Sequence, residues 1–166
     1  MMSWDMQEFL LIKKTHPEWQ AGKLNGIGGK IENTEILEGG DGNKYGLPET
    51  PHQAMVREFY EETGIQTPEK RWRCFHIEEY EIDQNTKTSK VKIYYFAAFG
   101  DETKRQYLGK DNDPLFEIVS TYKLTDLYFY RPEEVIYNIP YIIRMIIDLM
   151  KSGNFNNINP QGVNSK

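Results

Sequence analysis

The chain has 166 residues, of which 39% are hydrophobic and 27% charged, and its formal net charge is -5. That length suits one domain with a buried core, and the acidic balance excludes a general affinity for nucleic-acid backbones. Cys74 is the sole cysteine, which excludes an internal disulfide and fits a reducing compartment.

Residues 1–14 contain no basic region followed by a long apolar run, so they do not read as a signal peptide. No apolar run approaches the length of a membrane span. The expected location is the cytoplasm, without a membrane partner.

In chain order, residues 8–12 form a short apolar run, closed by Lys13 and Lys14, that reads as a buried strand. His16-Pro17 opens a loop to Lys23. Residues 24–31 alternate glycine with apolar residues and predict extended or turning backbone. Residues 33–48 carry Gly39, Gly40, Gly42 and Gly46 among several acidic residues and predict a loop or small excursion. Thr50 then starts a helix. It is a good N-cap, Pro51 suits the first helical position, and Gln53 completes a capping box. Gly64 stands just past the end, where a left-handed residue is wanted. Residues 73–82 and 90–99 are rich in β-formers around a polar stretch, and predict a hairpin. A polar loop over 100–114 precedes a strand over 117–124. A helix starts at Glu133 or Ile139 and runs to Lys151, with Ile142, Ile143, Ile146, Ile147 and Met150 apolar. From Ser152 the chain is rich in Asn and is expected to be disordered. No internal repeat is visible.

The chemistry lies in the first helix. Glu58, Glu61 and Glu62 stand at i, i+3 and i+4 and share a face. Met55, Val56, Phe59 and Thr63 fall on another face, suited to the core. Clustered like charges raise one another's pKa, and nearby positive charge is limited to Arg57, four residues before Glu61. A divalent cation relieves the repulsion, and magnesium and manganese prefer oxygen ligands. A Glu-Glu pair on a helix is commonly a solvated acidic face, and the helix alone favours that reading. Asn25-Gly26-Ile27-Gly28-Gly29-Lys30, otherwise a tight turn or bulge, lies close upstream and shifts the balance towards a site for cations and phosphates. Asp41-Gly42-Asn43 lacks the ligand spacing of a calcium loop. His16, His52 and His76 show no metal-ligand spacing, and His52, in the first helical turn, is expected to be exposed. Cys74 falls in a strand and reads as core rather than nucleophile.

Glu49, seven residues, Arg57-Glu58-Phe59-Tyr60-Glu61-Glu62-Thr63-Gly64-Ile65 resembles the signature of the Nudix hydrolases, G-x5-E-x7-R-E-U-x-E-E-x-G-U with U apolar. Every position from the first glutamate onward fits, and the likeness extends over residues 8–151. There are two departures. Nineteen residues separate Gly29 from Glu49 where the pattern has five, so fourteen are inserted within 33–48. A loop of that length costs little stability and lies beside the presumed site. Second, residues 1–7 leave little room for a strand before residue 8. The first strand is expected to be short, absent or supplied by a second chain, and monomer and homodimer both remain open.

The resemblance implies an α/β Nudix fold, a mixed β-sheet sandwiched between α-helices, in one domain over residues 1–151. It implies metal-dependent hydrolysis of a nucleoside diphosphate linkage, with Mg2+ or Mn2+. Glu58, Glu61 and Glu62 match the metal-binding glutamates, and Gly28 the glycine whose carbonyl completes the shell. Arg57 matches the arginine that orients glutamates, with Glu49 its partner, and Lys30 is placed to meet a phosphate. Glu117 is the choice for a later acidic ligand, with Glu102 its rival. Glu61 or Glu117 would accept the proton of the attacking water.

The stretch around Asn25 also resembles the MutT-like branch, which hydrolyses (d)NTPs, oxidised purine nucleotides included, to monophosphate and pyrophosphate. Asn25 there becomes a base reader, against a plain turn residue, and Asn138 a second polar base contact. Tyr128 and Tyr130 either stack on a base or pack the core. A hydrolase of ADP-ribose, NAD-like dinucleotides or dinucleoside polyphosphates is the rival within enzymes. A non-catalytic nucleotide-binding module is the rival outside them.

Overall fold

Phe9, Leu10, Leu11 and Ile12 are buried in succession, so this strand is covered on both faces, as its unbroken apolar run requires. The computed structural model describes residues 1–38, 44–84, 87–100, 117–127, 129–131 and 133–155. Chain order is β1 (Glu8–Lys13), β2 (Leu24–Asn25), β3 (Asn33–Glu38), β4 (Lys44–Pro48), α1 (Pro51–Thr63), β5 (Arg73–Gln84), β6 (Lys87–Ala97), β7 (Ile118–Lys123), α2 (Leu124–Leu127) and α3 (Ile139–Lys151). Strand alternation divides the core in two. Phe9 and Leu11 join Ala97, Phe99 and the α3 isoleucines. Leu10 and Ile12 join Ala98, Val119, Met55, Phe59 and Trp72. The two helices therefore pack on opposite faces of the strands, the sandwich expected of this α/β fold.

β1 is the middle strand of an antiparallel sheet ordered β2-β1-β7, and β5 pairs with β6 in a long antiparallel hairpin. Met2 links the two. It bridges antiparallel to Phe9 and parallel to Phe99, donating its N–H to the Ala98 carbonyl at 2.9 Å and accepting from the Gly100 N–H at 3.1 Å. The first strand is thus a single rung within this chain. That rung, with a parallel bridge between Leu24 and Val135, makes the pairing mixed.

Helix α1 is set by local chemistry. The Thr50 hydroxyl accepts from the Gln53 N–H at 3.2 Å and the Gln53 side chain accepts from the Thr50 N–H at 2.9 Å. Gly64 closes the helix in the left-handed conformation, φ 72°. Phe59 is fully buried and meets Trp72 edge-on at 5.0 Å.

The structure sharpens three expectations. Within the excursion expected over 33–48, Asn33–Glu38 and Lys44–Pro48 pair as antiparallel strands β3 and β4. The base of this pair is closed by the Glu49 N–H donating to the Glu32 carbonyl at 2.9 Å, so the inserted residues leave and return at one point. The last helix begins at Ile139, with Glu133 in a preceding turn. Of the tail expected from Ser152, residues 156–166 lie outside the described residues, while Phe155 is buried and packs edge-on against Phe99 at 4.7 Å. One aromatic ring after Gly153 is enough to hold residues 152–155 down, although the composition around it is polar. Among the described residues no helix is long and apolar enough to cross a membrane.

Candidate active site

Three element ends converge on the carboxylate face of α1. Residues Ile12 and Lys13 of β1 pair with Asn25 and Leu24 of β2, which brings the glycine turn after Asn25 to the end of β1. Lys13 also pairs with Ile118, so Lys14 and Glu117, each one residue beyond that rung, lie side by side. Packing of Met55 and Phe59 against Leu10 and Ile12 then sets Glu58 and Glu62 at the rim of the same surface.

Arg57 organises one half of the site. Its Nε and Nη2 donate to the two oxygens of the buried Glu49, both at 3.0 Å. Its Nη1 donates to Glu58 at 2.9 Å and to Glu61 at 3.3 Å, and Nη2 reaches the Lys30 carbonyl at 2.9 Å. A bidentate fork of this kind fixes direction as well as charge. The guanidinium holds the Glu49 carboxyl below the usual carboxylate range, against the opposing effect of burial. The Glu32 N–H adds a bond to Glu49 at 3.1 Å. Gly29 leaves room for the Glu58 carboxylate, which a Cβ there would push out of its present position.

Lys14 organises the other half. Its Nζ donates to Glu117 Oε2 at 2.5 Å and lies 3.9 Å from Glu62 Oε1. The Thr15 N–H donates to the second Glu117 oxygen at 3.2 Å. Burial pushes the Glu62 carboxyl up to about 8; Lys14 pulls it down, Glu117 and Glu58 push it further up, and a bond from the Gly28 backbone lowers it. Glu62 Oε2 is buried and has no hydrogen-bond partner among the described residues.

The donor set fits a hard divalent cation in type: all carboxylate and backbone oxygen, with one buried acceptor left unpaired. Among the described residues, however, no three acidic, histidine or cysteine side chains converge closely enough to hold an ion. Arg57 and Lys14 hold the carboxylates instead. Glu61 stands aside, its side chain 55% exposed and bonded to Arg57. Glu102 lies outside the described residues.

The other predicted residues separate by what they touch. Asn25 donates from Nδ2 to Gln20 at 3.2 Å and accepts the Gly26 N–H at 2.8 Å, so its side chain braces the turn. Lys30 is exposed. The Ile136 N–H donates to the Leu24 carbonyl at 2.9 Å, which brings the segment leading to Asn138 alongside the glycine turn. Asn138 stands at the N-cap of α3, but its side chain makes no capping bond. Its Nδ2 donates to Tyr95 Oη at 3.0 Å, and Tyr95 donates to Glu78 at 2.8 Å. The Glu78 carboxylate only accepts, so Tyr95 must accept from the amide, and Asn138 Oδ1 is left buried without a partner. An apolar cavity is lined by Gly26 and Ile27 of the glycine turn, and by Phe96 and Ile139, the sequence neighbours of Tyr95 and Asn138, among others. Tyr130 meets Tyr122 edge-on at 6.4 Å in the α3 cluster, which is core packing; Tyr128 lies outside the described residues.

His52 is not the exposed residue expected. Its ring meets Phe96 edge-on at 4.7 Å, its Nε2 is buried without a partner, and burial lowers its pKa. Sequence reasoning also missed Lys14, Tyr95 and Glu78. Lys14 ends an apolar strand and carries no local signal. Tyr95 and Glu78 sit on adjacent strands and meet only through the register, His76 opposite Tyr95.

The NUDIX domain family model matches residues 3–139. Neither a curated protein nor a solved structure matches the chain.

Proposed function

The chain belongs to the Nudix family, and from that premise we propose that it hydrolyses a (d)NTP to the monophosphate and pyrophosphate, oxidised purine nucleotides among its substrates. Membership makes it a pyrophosphohydrolase of nucleoside-diphosphate-linked substrates; the triphosphate is our reading. The observation that carries it is Asn138 Oδ1, a buried acceptor without a partner, next to the glycine turn. A base with an N–H donor satisfies that oxygen, and a triphosphate extends from there towards the carboxylates.

Glu58, Glu61, Glu62, Glu117 and the Gly28 carbonyl would hold Mg2+ or Mn2+. When bound, the metal neutralises phosphate charge and lowers the pKa of water. Arg57 keeps Glu58 and Glu61 oriented through Glu49. Glu61 or Glu117 takes the proton of the attacking water, Lys30 meets a phosphate, and Asn25 holds the turn beneath the base. Water adds its oxygen to one phosphorus, and the bridging oxygen leaves with the other phosphoryl group.

Purified protein incubated with a panel of nucleotides and Mg2+ in oxygen-18 water tests this by mass spectrometry. We expect labelled monophosphate or labelled pyrophosphate from a triphosphate. Turnover confined to ADP-ribose or dinucleotides would replace the triphosphate reading; the inserted β3–β4 strands beside the site are the observation that favours that rival. Nucleotide binding without turnover under Mg2+ or Mn2+ would favour the non-catalytic module. A domain of residues 1–151, cytoplasmic and either monomeric or dimeric, completes the proposal.

A further inference from the structure

We propose that Lys14 is the resident counter-cation of the carboxylate cluster, and that a divalent cation binds there by displacing it. This rests on reading the cluster as a metal site.

The ammonium lies 2.5 Å from Glu117 and 3.9 Å from Glu62. The three side chains are between 16% and 22% exposed, so any charge they carry is poorly screened. Backbone bonds anchor the lysine at its Cα: its N–H donates to the Lys23 carbonyl and its carbonyl accepts from the Gly22 N–H, both at 2.9 Å. Beyond that point only the ammonium is bonded, to Glu117, and it is a point charge without a preferred plane. Arg57 differs in each respect. Its fork is spread over Glu49, Glu58, Glu61 and a backbone carbonyl, so it is built to stay.

A divalent cation and an ammonium cannot share Glu117 Oε2 and Glu62 Oε1 without strong repulsion. Two of the carboxylates that a metal would use, Glu62 and Glu117, are those Lys14 now contacts. Glu62 Oε2, buried and unpartnered beside the lysine, is the oxygen that a single ammonium leaves uncompensated and a doubly charged ion would satisfy. Metal affinity is then set by a competition, and removing the lysine strengthens it.

Mn2+ titration of the full chain without nucleotide, by calorimetry and by the electron paramagnetic resonance signal of free Mn2+, tests the proposal. Lys14→Met is expected to bind Mn2+ about tenfold more tightly than wild type, and Lys14→Arg no more tightly. In chelator Lys14→Met should melt below wild type, with the larger rise on adding Mn2+. Lys14→Gln serves as the neutral variant if Lys14→Met fails to fold in chelator. Wild-type or weaker Mn2+ affinity in the neutral variant, or tighter binding by Lys14→Arg, overturns the role of Lys14 while leaving the metal site intact. No Mn2+ binding by wild type or variants overturns the metal-site reading and the proposal with it.

Discussion

Two buried acceptors lie at opposite ends of the functional surface, and each lacks something different. Glu62 Oε2 sits among charges: Glu58, Glu117 and Lys14 all act on its carboxylate. Asn138 Oδ1 ends a chain of hydrogen bonds through Tyr95 to Glu78, where His76 stands 3.5 Å away. On the function proposed above, the first would take a cation and the second an N–H donor of a ligand. Substitutions at the two should then differ in size and in kind.

The largest effect is expected at the charged end. Glu62→Gln keeps the shape of the side chain and removes the carboxylate that a metal would bind, so kcat/KM measured with Mg2+ should fall by about 100-fold or more. A loss of only a few-fold would mean that the buried carboxyl near Lys14 serves the fold instead. Glu49→Gln acts one step back, by loosening Arg57 from the buried carboxylate. Breaking a fully buried pair costs roughly 3–5 kcal/mol; Arg57 keeps 22% of its side chain exposed, so about 2–3 kcal/mol is expected by urea denaturation. Activity should drop by about 10–100-fold as Glu58 and Glu61 lose their orientation. Wild-type stability with full activity would show that Arg57 holds its place without Glu49.

How far these ends could be read from sequence follows from sequence distance. α1 was legible throughout, since its cap, its carboxylate spacing and its terminal glycine are all local. Arg57 and Glu49 are eight residues apart and belong to one motif. Lys14 and Glu117 are 103 residues apart, and their meeting depends on strand register, for which single positions carry no signal. Glu117 came from the family likeness and Lys14 from nothing. The inserted stretch read as a loop or small excursion because its glycines obscured the flanking strands, and the pairing of Glu32 with Glu49 was not visible. Met2 forms a strand one residue long, below any periodicity. His52 was placed by its helical turn, with no account of Phe96 from β6 folding over it.

At the neutral end, Tyr95→Phe removes the hydroxyl that accepts from Asn138 and leaves the ring. The amide then loses its fixed direction, worth about 0.5–1.5 kcal/mol for one hydrogen bond. KM for a nucleotide whose base carries an N–H donor should rise several-fold, with kcat nearly unchanged, and the metal affinity should not move. Equal KM changes for bases with and without such a donor would separate Asn138 from substrate recognition.

The smallest effect belongs to His52, whose Nε2 is also buried without a partner among the described residues, on the first turn of the helix that carries the carboxylates. Burial holds its imidazole below the usual range of about 6.5, with Glu69 opposing. The unfolded chain therefore binds a proton more tightly than the folded one. The stability this residue contributes is complete above about pH 6.5 and is lost as pH falls towards the lowered folded value. His52→Phe keeps an aromatic ring beside Phe96 and has no proton to take up. In urea denaturation between pH 7 and 5, wild type should lose more stability than His52→Phe. Parallel pH profiles for the two would place the titrating ring in solvent, contrary to its packing against Phe96.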